Sequence, residues 1–238
     1  MLIVGNQKTY LNKNSVLAFI NQTKDFKQDG VVICPSYLYI DLFCNNSNFV
    51  VGSQNVSENE SSSMTGEITA GQLSSMNVKY CIVGHSERRE YQREDTTMFV
   101  NKIKCLIKCN IIPIFCVGEQ KIDKENNLTK DIVGKQILEV LSNFAGNDIK
   151  NIVIAYEPVW AIGTGLVPTN EEIIDVVNYI KDLISDKFGI NLLVLYGGSV
   201  NKKNISLLNQ ISSIDGYLIG GASTKVDEFL YIVSECSK

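Results

Sequence analysis

Histidine is the scarcest resource in this chain. Among 238 residues there is one, His85. With no Cys-x-x-Cys pair anywhere, that excludes a structural zinc centre. Long apolar runs are also missing: none approaches the ~20 residues that a membrane-spanning helix needs. The run Met1-Leu2-Ile3-Val4 is too short for a secretory signal. There is no basic run and no aromatic–basic stripe, and 22 Lys and Arg against 26 Asp and Glu leave a net charge of −4. That balance argues against a nucleic-acid partner, although local groups can still bind a small anion. No linker or low-complexity segment interrupts the chain, so 1–238 is expected to be one domain, soluble, unexported and cytoplasmic.

Cysteine is present but in an unhelpful number for bridging, seven. Cys34, Cys81 and Cys116 sit in apolar runs, where a small buried thiol fits. Cys105 and Cys109 share a helix face, but two thiols without a nearby histidine make a poor metal site. Reduced thiols are the expected state.

What the chain does have is repetition. Eight short apolar runs, at 2–5, 31–34, 49–52, 80–84, 111–117, 152–156, 192–196 and 216–219, mark strands. Most are continuously apolar, the pattern of strands covered on both faces. Helical stripes fill the gaps: Phe99, Ile103, Leu106 and Ile107; Ile137, Leu138, Leu141 and Phe144; Ile173, Ile174, Val177, Ile180 and Ile184. Thr169-Asn-Glu-Glu172 predicts a capping box opening the last of these helices. The third slot is weakest, since 54–68 is polar and rich in Ser and Glu. Eight alternating units predict an α/β fold, a closed (β/α)8 barrel with parallel strands. The alternative is an open doubly wound sheet, but the first strand ends Gly5-Asn6-Gln7-Lys8, which cannot serve as a dinucleotide loop. Pro113 is expected at the start of the fifth strand, with full pairing only after it.

Polar residues and glycines collect where the strands end. Asn6 and Lys8 follow the first, Gln54 and Asn55 the third, and His85, Ser86 and Glu87 the fourth. Glu119 follows the fifth, Glu157 the sixth, Gly197-Gly198-Ser199 the seventh and Gly220-Gly221 the eighth. In a barrel these points share one rim, where active sites are built. Glu157 opens a segment stiffened by Pro158, given apolar surface by Trp160 and Ile162, and loosened by Gly163 and Gly165. A carboxylate beside a closable, water-excluding segment suits proton abstraction from carbon. His85 precedes Ser86-Glu87-Arg88, which could start a helix, and a helix N-terminus favours a neutral imidazole.

Several of these motifs together resemble the triosephosphate isomerase family. Gly84-His-Ser-Glu-Arg-Arg89 is similar to its histidine loop, and Ala155-Tyr-Glu-Pro-Val-Trp-Ala-Ile-Gly-Thr-Gly165 to its base and lid. Tyr196-Gly-Gly-Ser-Val200 and Ile219-Gly-Gly-Ala-Ser223 are similar to its phosphate-binding turns. Asn6 and Lys8 match its first-strand signature and Thr65-Gly66-Glu67 its dimer loop. The resemblance runs from the first strand to the last. It implies a TIM barrel that interconverts dihydroxyacetone phosphate and D-glyceraldehyde 3-phosphate in glycolysis and gluconeogenesis. Glu157 would be the base, His85 the electrophile and proton shuttle, Lys8 a fixed positive charge and Asn6 an amide donor. Gly163, Ser199, Gly220 and Gly221 would hold the phosphate. Pro158, Val159, Trp160, Ala161, Ile162, Gly163, Thr164, Gly165, Leu166, Val167 and Pro168 would form the lid. Ser86, Glu87 and Cys116 would support the catalytic groups, Glu87 by holding Lys8. The resemblance also implies a homodimer through the 55–69 loop, a small phosphorylated triose as substrate, and no metal or organic cofactor.

The sequence departs from that family at three places. Gln7 stands where tryptophan is common, and Gln92-Arg93 replaces a usual Phe-Gly before Glu94. Leu166-Val167-Pro168 forms the far end of the lid, where Pro168 fixes one backbone angle and restricts Val167. Rival readings are another phosphosugar barrel enzyme, such as an aldolase or epimerase, and a non-catalytic barrel scaffold. A Schiff-base aldolase needs a lysine on a late strand, which the sixth and seventh lack. A scaffold predicts damage at Lys8, His85 or Glu157, and all three are intact.

Overall fold

The computed structural model of the chain describes residues 1–61, 63–163 and 166–237. Eight strands form a closed barrel in sequence order: β1 (Leu2–Asn6), β2 (Val31–Cys34), β3 (Val50–Ser53), β4 (Tyr80–Val83), β5 (Ile112–Val117), β6 (Val153–Tyr156), β7 (Val194–Tyr196) and β8 (Gly216–Ile219). Every neighbouring pair is parallel, and β8 closes on β1 with Leu2 opposite Gly216. The open doubly wound alternative is thereby discarded.

Alternation along each strand splits the core in two. Val4, Val32, Ile82, Ile114, Ala155, Leu195 and Leu218 point inward and fill the barrel. Ile3, Ile33, Val83, Phe115, Ile154 and Tyr217 point outward and meet the helices. Both faces are buried, so each strand reads as an unbroken apolar run. The parity has a functional consequence. Continued one step past the apolar residues, the inward series Leu2, Val4 reaches Asn6, and Val153, Ala155 reaches Glu157.

Pro113 is the second residue of β5 and lies opposite Cys81 of β4. Pairing with β6 begins one residue later, at Ile114 opposite Val153. The missing N–H falls before that ladder starts, so the proline costs no strand hydrogen bond.

Helices cover the outside. Thr96–Lys108, Thr129–Leu141 and Asn170–Phe188 bury most of the expected stripes, with Ile107 and Leu138 half-buried and Phe144 beyond the end of its helix. Ile174 departs furthest, at 38 % exposure. It lies about 100° round from Ile173, and Val176 and Val177 take the inner face instead. Thr169 caps that helix as the spacing predicted: its hydroxyl accepts from the Glu172 N–H at 3.2 Å, and the Glu172 carboxylate accepts from the Thr169 N–H at 2.8 Å. The polar third slot yields only a six-residue helix, Ala70–Ser75. Four strands start where the sequence pattern put them; β3, β5 and β6 start one residue later and β7 two, where Leu193 is 47 % exposed. No helix among the described residues is long and apolar enough to cross a membrane.

Candidate active site

The C-terminal mouth of the barrel gathers the polar residues. Glu157 leaves β6 with its N–H donating to the Val117 carbonyl at 2.8 Å. It is 2 % exposed, and room for it is made by glycine. A Cβ on Gly118 would meet the Glu157 carbonyl oxygen at 1.8 Å, and one on Gly197 would meet the Glu157 side chain at 2.9 Å. One carboxylate oxygen lies 3.2 Å from His85 Nε2, and the other accepts from the Ser86 N–H at 3.3 Å.

His85 caps the helix Ser86–Tyr91, as the following Ser-Glu-Arg suggested. Its Nδ1 accepts a hydrogen bond from the Glu87 N–H at 3.2 Å. An accepting Nδ1 carries no proton, which leaves the proton of a neutral ring on Nε2, the atom facing Glu157. Arg89 braces the same turn from behind. Its Nε donates to the Gly84 carbonyl and its Nη2 to the Cys116 carbonyl, both at 2.7 Å. The guanidinium also lies 4.3 Å above the Phe99 ring. Burial pushes Arg89 below its usual value. The Cys116 thiol is pushed well up, first by burial and then by the charge of Glu157.

Lys8 enters from β1. Its ammonium lies 2.5 Å from the Glu87 carboxylate. Its backbone adopts φ 47°, and two bonds hold it there. The Lys8 N–H donates to Asn6 Oδ1 at 3.1 Å, and the Lys8 carbonyl accepts from Gln54 Nε2 at 2.9 Å.

Asn6, Lys8, His85 and Glu157 line one cavity of about 210 Å³, and Gly163, Ser199, Gly220 and Gly221 line it too. Gly221 opens the short 3₁₀ turn Gly221–Thr224, where first-turn N–H groups lack intrahelical partners and suit an anion. Ser199 is tied to the lid segment: its hydroxyl donates to the Ala161 carbonyl at 2.8 Å. Tyr10 and Asn201 also line the cavity. Sequence reasoning missed both, because neither stands at a strand end.

The segment expected to form a lid begins as a 3₁₀ turn, Val159–Ala161, and Gly163 adopts φ 69°. Trp160 Nε1 donates to Glu119 Oε1 at 2.7 Å, and the Tyr156 hydroxyl lies 3.3 Å from the same oxygen. Burial pushes the Glu119 carboxyl above the usual carboxylate value. The Lys124 ammonium sits 3.6 Å above the Trp160 ring and pairs with Glu172 at 3.0 Å. The sequence placed Glu119 on the rim without showing this bond to the lid. Thr164 and Gly165 lie outside the described residues. Leu166 and Val167 are exposed and Pro168 is buried.

Thr65, Gly66 and Glu67 form an exposed turn away from the cavity, with the Glu67 N–H donating to the Met64 carbonyl at 3.3 Å. A second depression of about 520 Å³ adjoins the site, lined by Asn6, Lys8, Tyr10, Tyr37, His85, Glu87 and Tyr91 among others. No group of three or more His, Cys, Asp or Glu among the described residues could hold a metal ion.

Residues 1–236 match the family described as triosephosphate isomerase. A triosephosphate isomerase of Alkaliphilus oremlandii is 38 % identical over 243 residues, covering 98 % of each chain. One from Clostridium tetani is 39 % identical, covering 98 % of this chain and 95 % of its own. One from Mycoplasmopsis pulmonis is 39 % identical, covering 98 % and 97 %.

Proposed function

The chain belongs to the triosephosphate isomerase family, an aldose–ketose isomerase that interconverts dihydroxyacetone phosphate and D-glyceraldehyde 3-phosphate, and from that premise we propose how its own residues carry the reaction. Glu157 takes a proton from the carbon beside the carbonyl. His85 Nε2–H and the Lys8 ammonium donate to the enediolate oxygens, where charge develops. Protonated Glu157 then returns the proton to the neighbouring carbon. His85 moves a proton between the two oxygens, with its ring orientation fixed by the Glu87 N–H. Asn6 spends its Oδ1 on the Lys8 N–H, which leaves its amide nitrogen to donate into the cavity. The phosphate is gripped by backbone N–H groups at Gly163, Ser199, Gly220 and Gly221, and residues 158–168 close over it. Closure excludes water, which strengthens every electrostatic contact inside.

The observation that carries this reading is the single cavity. A carboxylate oxygen and an imidazole nitrogen lie 3.2 Å apart within it, and an ammonium and the glycine turns after β7 and β8 face the same space. A three-carbon phosphate ester spans such a site. The whole of 1–238 acts as one barrel domain in the cytoplasm. The chain works as a homodimer whose 55–69 loop, led by Thr65, docks on its partner.

The test is a coupled isomerase assay on the purified protein. Turnover is expected, and Glu157→Gln should lower kcat by about 10³-fold, within the range for removing a general base. An inactive wild type, or a Glu157→Gln variant as fast as wild type, would refute the assignment.

A further inference from the structure

Gln7 is a polar side chain in an apolar position. It continues the outward series Ile3, Gly5 of β1, is 1 % exposed, and does not line the cavity described above. Its backbone is fixed: the N–H donates to the Cys34 carbonyl at 3.1 Å, and the carbonyl accepts from the Tyr10 N–H at 3.3 Å. Its side-chain amide reaches the turn after the neighbouring strand β8, where Nε2 donates to the Ser223 carbonyl at 3.5 Å. Its Oε1 is buried and has no hydrogen-bond partner among the described residues. A buried amide with one end unpartnered is unfavourable, and an apolar side chain of that size would avoid the cost. What the amide supplies in return is its contact with Ser223.

Ser223 belongs to the turn that follows β8. Its N–H and its hydroxyl both bond the Gly220 carbonyl, at 2.9 and 2.7 Å. Gly5 lets this turn approach β1, since a Cβ there would come within 3.0 Å of Ser223 Cβ. Gly220 in turn lies against Lys8, where a Cβ would sit 3.7 Å from Lys8 Cε. Gln7 is therefore the chain neighbour of the residue bearing the ammonium, and its side chain bonds the turn bearing phosphate donors directly.

We infer that Gln7 is a positioning residue for the phosphate, setting the Gly220–Ser223 turn at a fixed distance from Lys8 through its amide contact with Ser223. The inference rests on the isomerase reading of this cavity. Gln7 touches no substrate atom. It acts on affinity through the turn and leaves the base and electrophile alone.

The test uses Gln7→Met, of similar length and without a donor. The Kd for 2-phosphoglycolate and the KM for D-glyceraldehyde 3-phosphate should rise about three- to tenfold, the loss of one neutral hydrogen bond. The kcat should stay within about twofold, and kcat/KM for D-glyceraldehyde, which has no phosphate, should be unchanged. Thermal stability should hold or rise, because the unpartnered oxygen is removed with the donor. A purely structural glutamine would give a change in melting temperature with unaltered Kd and KM, and that result overturns the inference. So does an equal loss on D-glyceraldehyde, which would place the effect at Lys8 or the base. Gln7→Glu gives a second route should the Met variant not fold: its carboxylate faces the Ser223 carbonyl without a donor, and an unaltered phosphoglycolate Kd would again refute the role. A wild type that binds phosphoglycolate but turns over no triose phosphate would end the isomerase reading and leave the Gln7 result interpretable.

Discussion

Lys8 holds a backbone angle, φ 47°, that a lysine rarely adopts. Such strain persists where surrounding contacts over-determine it, and here Asn6, Gln54 and Glu87 do so. The angle turns the side chain back over the barrel mouth instead of out along the strand. Glu87 is the contact that aims the ammonium, and its N–H separately fixes the His85 ring. Glu87→Gln keeps the backbone donor and removes the charge partner. Loss of one charge-assisted bond should lower kcat/KM by about tenfold or more, while the His85 ring stays in place. Steady-state kinetics would check this, and equal values for variant and wild type would mean Glu87 does not aim Lys8. Lys8, His85 and Glu157 were visible in the sequence because each stands where an apolar run turns polar, and strand parity then aims Glu157 and Asn6 inward. Gln7 and Glu119 occupy similar places, yet their roles were hidden. Both depend on one long-range partner, Ser223 for Gln7 and Trp160 for Glu119, and a single sequence carries no sign of which distant residues meet.

At the scale of the element, the segment proposed as a lid is held at its base. Trp160 is held at its indole N–H by the Glu119 carboxylate and over its ring face by the Lys124 ammonium, and Lys124 is tied through Glu172 to the capping box that opens Asn170–Phe188. The near end of the lid is thereby linked to the helix that begins beyond its far end. Glu119 contributes in a pH-dependent way. Burial raises its folded value above the usual 4.5, so the folded chain binds its proton more tightly than the unfolded chain. Its stabilising contribution is fully present below the unfolded value and is lost as pH rises through the folded one. Wild type compared with Glu119→Gln should therefore show its most favourable stability difference below pH 4.5, at about pH 3.5, and a smaller one at about pH 7.5. Denaturant melts of both proteins at the two pH values would measure it, and a difference that grows with pH would contradict the assignment. Periodicity and the capping box had announced the helix after the lid. They could not announce that Ile174 stays exposed, because packing against neighbours decides the edge of a stripe.

Across the whole molecule, the closed barrel was readable because burial on both strand faces leaves an unbroken apolar mark, and eight such marks in one chain have few ways to be arranged. The association of two chains leaves no comparable mark. It has to be argued from the surface. Tyr10, Leu38, Met64 and Tyr91 are exposed by 63, 80, 54 and 70 %. Tyr10 and Tyr91 line the depression beside the active site, which also exposes parts of Lys8 and His85. Both sides of this region are stiffened by one buried cluster. Glu94 accepts from Arg88 at 2.6 Å and bonds Lys102, and Lys102 reaches Asn55 at 2.8 Å, where the 55–69 loop begins. The helix after His85 and the root of the loop are thus joined, and the turn at Thr65 is exposed. A partner's loop seated in the depression would cover the exposed aromatics and wall off Lys8 from water. Thr65→Arg puts a bulky charge at that contact and touches nothing in its own active site. It should convert a particle of twice 26.5 kDa into single chains in sedimentation, with activity falling in step. A wild type that sediments as one chain at every concentration while remaining fully active would show that Lys8 and His85 need no second subunit to hold their places.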